Sequence, residues 1–161
     1  MQWLKQGLIY LVLILIVVTI MDLWRGKDLP KGVLTEQVWQ TTQGEQVNVV
    51  AQSFKEPVII YFWGTWCPVC SVVTPSVDWL DGMAPVVSVA MQSGTDASLR
   101  HYAAEHGYTV AMVNDASGSL GQSWGVAVTP AFAIVRNGEI ESFTAGFTTP
   151  FGLYIRWLLA H

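Results

Sequence analysis

The sequence predicts an α/β domain, a mixed central sheet with flanking helices, with extra strands on its N-terminal side and one apolar helix ahead of it. Three observations carry this. "PVIIYFW" (57–63) is an unbroken apolar run that stops at Gly64, the pattern of a strand buried on both faces. Strand-like and helix-like segments alternate after it, which requires crossovers and therefore a parallel core. Near the end, Asn137-Gly138 separates two apolar runs, the strongest short-range hairpin signal, so the sheet finishes antiparallel.

Taken in chain order, the first element is the apolar helix. Gly7 to Met21 is 15 residues without a charge, and Trp3 to Trp24 extends it to 22 with Lys5 and Asp22 near the ends. That matches the roughly 20 residues of a transmembrane helix, with a tryptophan at each interface. A cleaved signal peptide or a buried core helix are the other readings. No A-x-A-like cleavage site follows, only the bulky, charged "TIMDLWRGKD", so an uncleaved anchor over 1–24 is favoured. "RGKDLPKGVLT" (25–35) is polar with Gly and Pro and reads as a linker, leaving 36–161 as the globular domain.

Within that domain, "VWQTTQGEQVNVV" (38–50) suggests two short strands around Gln43-Gly44. The buried strand 57–63 leads to a helix from Pro68 to Leu80, then to a second buried strand, "PVVSVAM" (85–91). A helix over 96–107 ends on Gly107 as its C-cap. A short strand (109–115), a short helix (119–125), the hairpin (131–146) and an amphipathic helix (151–160) complete the chain.

Composition narrows the function. Of 161 residues, 52% are hydrophobic and only 12% charged, against about 25% in an average soluble domain, as expected if part of the chain sits in lipid. The net charge is −4, and the globular part carries four Lys/Arg against ten Asp/Glu. With no basic cluster, nucleic acid is not a partner. There is no repeat and no glycine-rich phosphate loop.

Both cysteines lie in "YFWGTWCPVCSVVTP" (61–75). A strand runs into Gly64 and Pro68 suits the first helical position, so Cys67 falls at a helix N-terminus and Cys70 one turn in, on the same face. The positive end of the helix and greater exposure both favour a thiolate at Cys67, making it the nucleophile and Cys70 the resolving thiol. A structural disulfide would close a loop too small to constrain much. Zinc needs four ligands; the chain has no other cysteine, and His101, His106 and His161 lie far away in sequence. Soft thiolates do select Cu(I), which keeps a two-cysteine copper carrier as an alternative. A redox pair fits best, with no cofactor beyond the Cys67–Cys70 disulfide itself and no resident metal. Downstream, "VTPAF" (128–132) opens a strand with Thr129-Pro130, an X-Pro bond expected to be cis and to face the cysteines.

Together "YFWGTWCPVC", Pro75, "WGVAVTPAF", "RNGEI" and Gly146 resemble the thioredoxin fold, over about 35–161. The N-terminal anchor, the strands at 38–50 and "FWGTWC" are similar to the TlpA-like branch, which includes membrane-tethered reductases of cytochrome c maturation, and within it to the suppressor-of-copper-sensitivity protein D group. The resemblance implies Cys67 as nucleophile, Cys70 as resolver and Pro130 as cis proline. It implies that the backbone of Thr129 pairs with an extended substrate and that Trp66 flanks the cysteine as a lid. Pro68 and Val69 complete the expected substrate contacts. The partners would be protein thiols and disulfides, with a membrane thiol donor recharging the pair. The domain would face the periplasmic side of the inner membrane, although Arg25, Lys27 and Lys31 alone argue weakly for a cytoplasmic one.

The sequence also departs from these relatives. Tyr61 stands where thioredoxins keep a buried acid, and Val73 where cytochrome-maturation reductases keep a glutamate. No Asp or Glu lies between Glu56 and Asp78, so Cys70 has no neighbouring carboxylate in sequence to act as general base. Val69 has no donor in its side chain and Pro68 has no amide N–H, which favours a potential nearer thioredoxin's about −270 mV than a strong oxidant's about −120 mV. A disulfide-forming oxidase is the remaining alternative. Met83, Met91 and Met112 are expected to be core fillers, and His101 and His106 to lie on a solvated helix face.

Overall fold

A computed structural model of the chain describes Gln6, Tyr10, Leu34 and residues 38–160. The expected anchor lies outside the described residues, save for Gln6 and Tyr10, which are helical. Among the described residues no helix is long and apolar enough to cross a membrane.

β1 (Val38–Gln40) and β2 (Gln46–Asn48) form a small antiparallel pair of their own. Sequence reasoning extended the second strand through Val50. Instead Asn48 caps a helical turn, α1 (Val49–Ser53), accepting the Ala51 N–H at 2.9 Å. Asparagine is a strong N-cap, and the turn buries Val49 and Val50, which an isolated ribbon would leave half exposed.

The main sheet has the order β5-β4-β3-β6-β7. Its strands are β3 (Val58–Trp63), β4 (Val86–Met91), β5 (Ala111–Asp115), β6 (Ala131–Arg136) and β7 (Glu139–Ala145). β3, β4 and β5 run parallel, while β6 pairs antiparallel with β3 and β7 with β6. Around them lie α2 (Pro68–Asp81), α3 (Asp96–His106), α4 (Ser119–Ser123) and α5 (Pro150–Leu159). Every residue of β3 is buried, and its alternation divides the core. Ile59, Tyr61 and Trp63 face α2, α3 and α5, joining Cys70, Val73, Leu99 and Leu153. Val58, Ile60 and Phe62 face the other way, toward Val49, Trp39 and Trp124.

The hairpin turns on Asn137 and Gly138, with φ of 51° and 76°. Both need the left-handed region, which this residue pair tolerates. Its two strands are not alike. β6 is an interior strand buried on both faces, Phe132 and Ile134 in one core layer and Ala131, Ala133 and Val135 in the other, whereas β7 is the edge and alternates. Ser53 ties the turn to α1: its Oγ accepts the Gly138 N–H at 2.9 Å and its carbonyl the Asn137 N–H at 3.0 Å. Gly107 caps α3 in the left-handed conformation, as expected. Met112 is a core residue, but Met83 is exposed, because it follows the end of α2 in the connection to β4.

Two ends of the sheet follow from this topology. The parallel strands end at the Gly64 side, where α2 begins. The opposite end holds Pro57, the hairpin turn and the C-termini of α2 and α5. Trp157 of α5 donates its indole N–H to Pro57 O at 2.7 Å. Leu34, inside the stretch read as linker, donates to Gly138 O at 2.8 Å at this same end.

Candidate redox site

β3 delivers the chain to Gly64, and a tight turn follows, closed by Cys67 N–H donating to Gly64 O at 3.1 Å. Thr65 N–H donates to Ser93 Oγ at 3.0 Å, and Ser93 Oγ donates to Met91 O at 2.9 Å. Trp66 folds back across this turn. Its indole N–H donates to Met91 O at 2.9 Å, and its ring lies so close over Gly64 that a Cβ there would meet it at 2.6 Å. Only glycine leaves room. The expected lid is therefore a pinned plate, 55% exposed, with one face against the turn and the other open.

Cys67 is the N-cap of α2, with Pro68 in the first turn. Its Sγ accepts the Cys70 N–H at 3.2 Å. The two cysteines are joined as a disulfide, with Cα atoms 5.2 Å apart. Cys70 is fully buried while Cys67 retains 6% exposure, so an incoming sulfur can reach only Cys67. A helix N-terminus with an N–H aimed at Sγ is the environment that stabilises a thiolate there.

Across from Cys67 stands the start of β6. Thr129–Pro130 is cis, and Thr129 O lies 3.7 Å from Cys67 Sγ. Pro130 is buried, and its carbonyl accepts the Gly146 N–H at 2.7 Å, which holds the loop against β7. Trp66, Pro68, Val69 and Val128 are all exposed around the pair. The fold thus brings every expected site residue to one rim: Cys67, Cys70, Trp66, Pro68 and Val69 from α2 and its approach, Thr129 and Pro130 from the loop that leads into β6.

Beneath Cys70 the arrangement is neutral. Tyr61 is fully buried, and its hydroxyl lies 2.9 Å from Thr74 Oγ1. Thr74 Oγ1 in turn donates to Cys70 O at 2.7 Å, so Tyr61 O–H must be the donor to Thr74. Burial pushes the Tyr61 phenol well above its usual range, opposed by the Thr74 hydrogen bond, so it stays protonated. Val73 is buried and apolar. Sequence reasoning singled out Tyr61 but missed Thr74, Ser93 and the Met91 carbonyl. Thr74 was findable, since it lies four residues from Cys70 on one helix face.

A family model described as Redoxin matches residues 25–148. The chain belongs to the Redoxin family. A "Thioredoxin-like protein" of Haemophilus influenzae is 31% identical over 159 residues, covering 98% of this chain and 94% of that protein. A "Thiol:disulfide interchange protein DsbE homolog" of Paracoccus denitrificans is 29% identical, covering 68% of this chain and 63% of that protein. Among solved structures, the exposed lipoprotein thioredoxin Etrx1 of Streptococcus pneumoniae superposes with a TM-score of 0.70 at 18% identity, over 78% of this chain and 99% of that one. At that identity the likeness speaks for the fold: this redoxin has the thioredoxin fold. With its Cys67–Cys70 pair it is a thioredoxin-like thiol–disulfide oxidoreductase acting on protein thiols.

Proposed function

We propose that this redoxin is a membrane-anchored, extracytoplasmic reductant of partner-protein disulfides, of the TlpA-like kind, recharged by a thiol donor in the membrane. The observation that carries the reaction is Cys67 Sγ at the start of α2, receiving the Cys70 N–H and facing Thr129 O. In the dithiol form, Cys67 thiolate attacks a partner disulfide, forms a mixed disulfide and expels one partner thiolate. Cys70 then attacks Cys67 Sγ. The Cys67–Cys70 disulfide forms, the second partner thiol leaves, and two electrons have passed to the partner. Trp66, Pro68, Val69 and Thr129 form the rim against which the partner segment docks, with Pro130 setting the direction of the loop. The apolar Pro68-Val69 pair supports the reducing direction, since it offers no side-chain donor to deepen the thiolate well.

The anchor reading rests on the uncharged stretch Gly7–Met21, and the extracytoplasmic side on likeness to a relative named as a soluble secreted antigen, MPT53 of Mycobacterium tuberculosis, 26% identical over 90 residues. A link to copper tolerance or cytochrome c maturation belongs to the same reading. Among the described residues no three His, Cys, Asp or Glu side chains converge on a metal-sized site. A two-thiol Cu(I) carrier is therefore the alternative to be tested directly. The experiment is Cys70→Ala in the full chain, expressed in membranes. Mixed disulfides through Cys67 that vanish in Cys67→Ser/Cys70→Ala support the reading. No trapped partner, with tight Cu(I) binding by the wild type, overturns it. A measured potential above about −180 mV, the range of isomerases and oxidants, would refute the reducing direction.

A further inference from the structure

Five large apolar side chains are exposed at the end of the domain opposite the redox centre. Trp79 and Met83 come from the last turn of α2 and the segment after it, and Leu158 and Leu159 from the last turn of α5. Trp79 is 64% exposed and Leu159 81%. Phe54 follows α1, its ring 3.4 Å from where a Cβ on Gly138 would stand. The two helices start near the cysteines and Gly146 and end together beyond Pro57, so four of these residues belong to neighbouring helix termini. Phe54 is beside the point where the N-terminal chain joins the domain, since Leu34 donates to Gly138 O there.

We propose that this end of the domain rests on the lipid surface, beside the anchor. The inference builds on the anchor reading above. From Trp24, the last residue of the expected span, to Leu34 is ten residues, which reach at most about 34 Å even when fully extended. The chain therefore enters the domain at the end that carries the apolar residues, and a tether this short presents that end to the bilayer at about millimolar effective concentration. Weak apolar contacts suffice under that condition. Charge does not help: Glu56, Asp81 and Glu139 at this end outnumber Lys55 and Arg136, so the fit is to a zwitterionic interface rather than an anionic one. A tryptophan and aliphatic side chains at the edge of the domain suit the headgroup boundary. The consequence is orientation. β3 spans six residues, about 20 Å, so the cysteines open away from the lipid, toward soluble partners, and any membrane donor must raise its thiols to that height.

Trp79 is the probe. The full chain is reconstituted in phosphatidylcholine vesicles with and without brominated acyl chains, and its tryptophan emission is compared with that of Trp79→Phe. The emission lost on that substitution should be quenched by the brominated lipid. In Leu158→Glu/Leu159→Glu the same difference should escape quenching, while reduction of insulin disulfides by the Cys67–Cys70 pair is unchanged. A chain that floats with vesicles but whose Trp79 emission is never quenched overturns this inference and leaves the anchor standing; burial of Trp79 against a second copy of the chain gives that same result. A full chain that does not float with vesicles overturns both.

Discussion

Tyr61→Phe separates the two things the buried phenol does. At neutral pH the substitution removes one buried hydrogen bond, Tyr61 O–H to Thr74 Oγ1, and leaves the ring stacked on Phe132 at 4.9 Å. Thr74 keeps its own bond to Cys70 O, so no buried donor is stranded. The loss should be about 0.5–1.5 kcal/mol. At high pH the sign reverses. The folded phenol is held above its ordinary value by burial, so its contribution to stability is complete below about pH 10 and drains away as the unfolded phenol ionises. By pH 11 that loss is about 1.4 kcal/mol, and phenylalanine does not suffer it. The stability curves of wild type and variant should therefore cross between about pH 10 and pH 11. Urea unfolding of the oxidised protein, followed by near-ultraviolet circular dichroism from pH 7 to 11.5, measures both limbs, and the other tyrosines cancel in the difference. A gap that stays constant through pH 11 would mean that the phenol ionises freely in the folded protein, and the account of a sealed, neutral floor beneath Cys70 would be wrong.

Three further perturbations test other parts of the structure. Ser53→Ala removes the acceptor of the buried Gly138 N–H and should destabilise the protein by about 1–3 kcal/mol, read as a lowered urea midpoint with unchanged slope. Burial holds the Asp81 carboxyl above its ordinary value, only partly offset by the Val86 N–H it accepts. Asp81→Asn keeps an acceptor for Val86 and removes the charge. It should stabilise the protein at pH 7 and lose that advantage below about pH 4, where the wild-type carboxyl is protonated too; a gain that persists at pH 3 would contradict the assignment. Gly64→Ala puts a methyl into the Trp66 indole and should expel the ring from its bond to Met91 O. Reduction of partner disulfides should fall and Trp66 emission shift red, while an unshifted spectrum would show that the indole is not held over Gly64.

Much of the fold is legible in the sequence because its signals are strong and local. The β3 run, Pro68 at a helix start, Gly107 at a helix end and Asn137-Gly138 each have a physical cause that acts within a few residues. The misses have causes of the same kind. Val49 and Val50 look like strand residues because they are β-branched, but Asn48 caps a helical turn that buries them. β6 and β7 look equivalent in sequence, and only the sheet order makes one interior and the other an edge. Met83 looks like core by type, and its exposure follows from where α2 stops.

The redox site was legible as residues and illegible as a network. Cys67, Cys70 and Pro130 declare themselves by spacing, but what surrounds them is set by atoms the sequence cannot orient: the Met91 carbonyl that pins Trp66, and the Thr74 hydroxyl between Tyr61 and Cys70 O. That hydroxyl also changes what the missing acid means. Pro75 has no N–H, so the helix cannot bond back to Ser71 O just after the turn that carries Cys70. Thr74 supplies an extra bond to the Cys70 carbonyl at that weak point, and Tyr61 anchors it to the central strand. Relatives with a carboxylate beneath the resolving thiol place a proton acceptor there. Here the same position holds a donor that stays protonated, so it can fix where Cys70 sits but cannot take its proton. The proton of Cys70 must leave through the open rim, with solvent or the departing partner thiolate, and resolution of the mixed disulfide is expected to be slower than in a thioredoxin that keeps the acid.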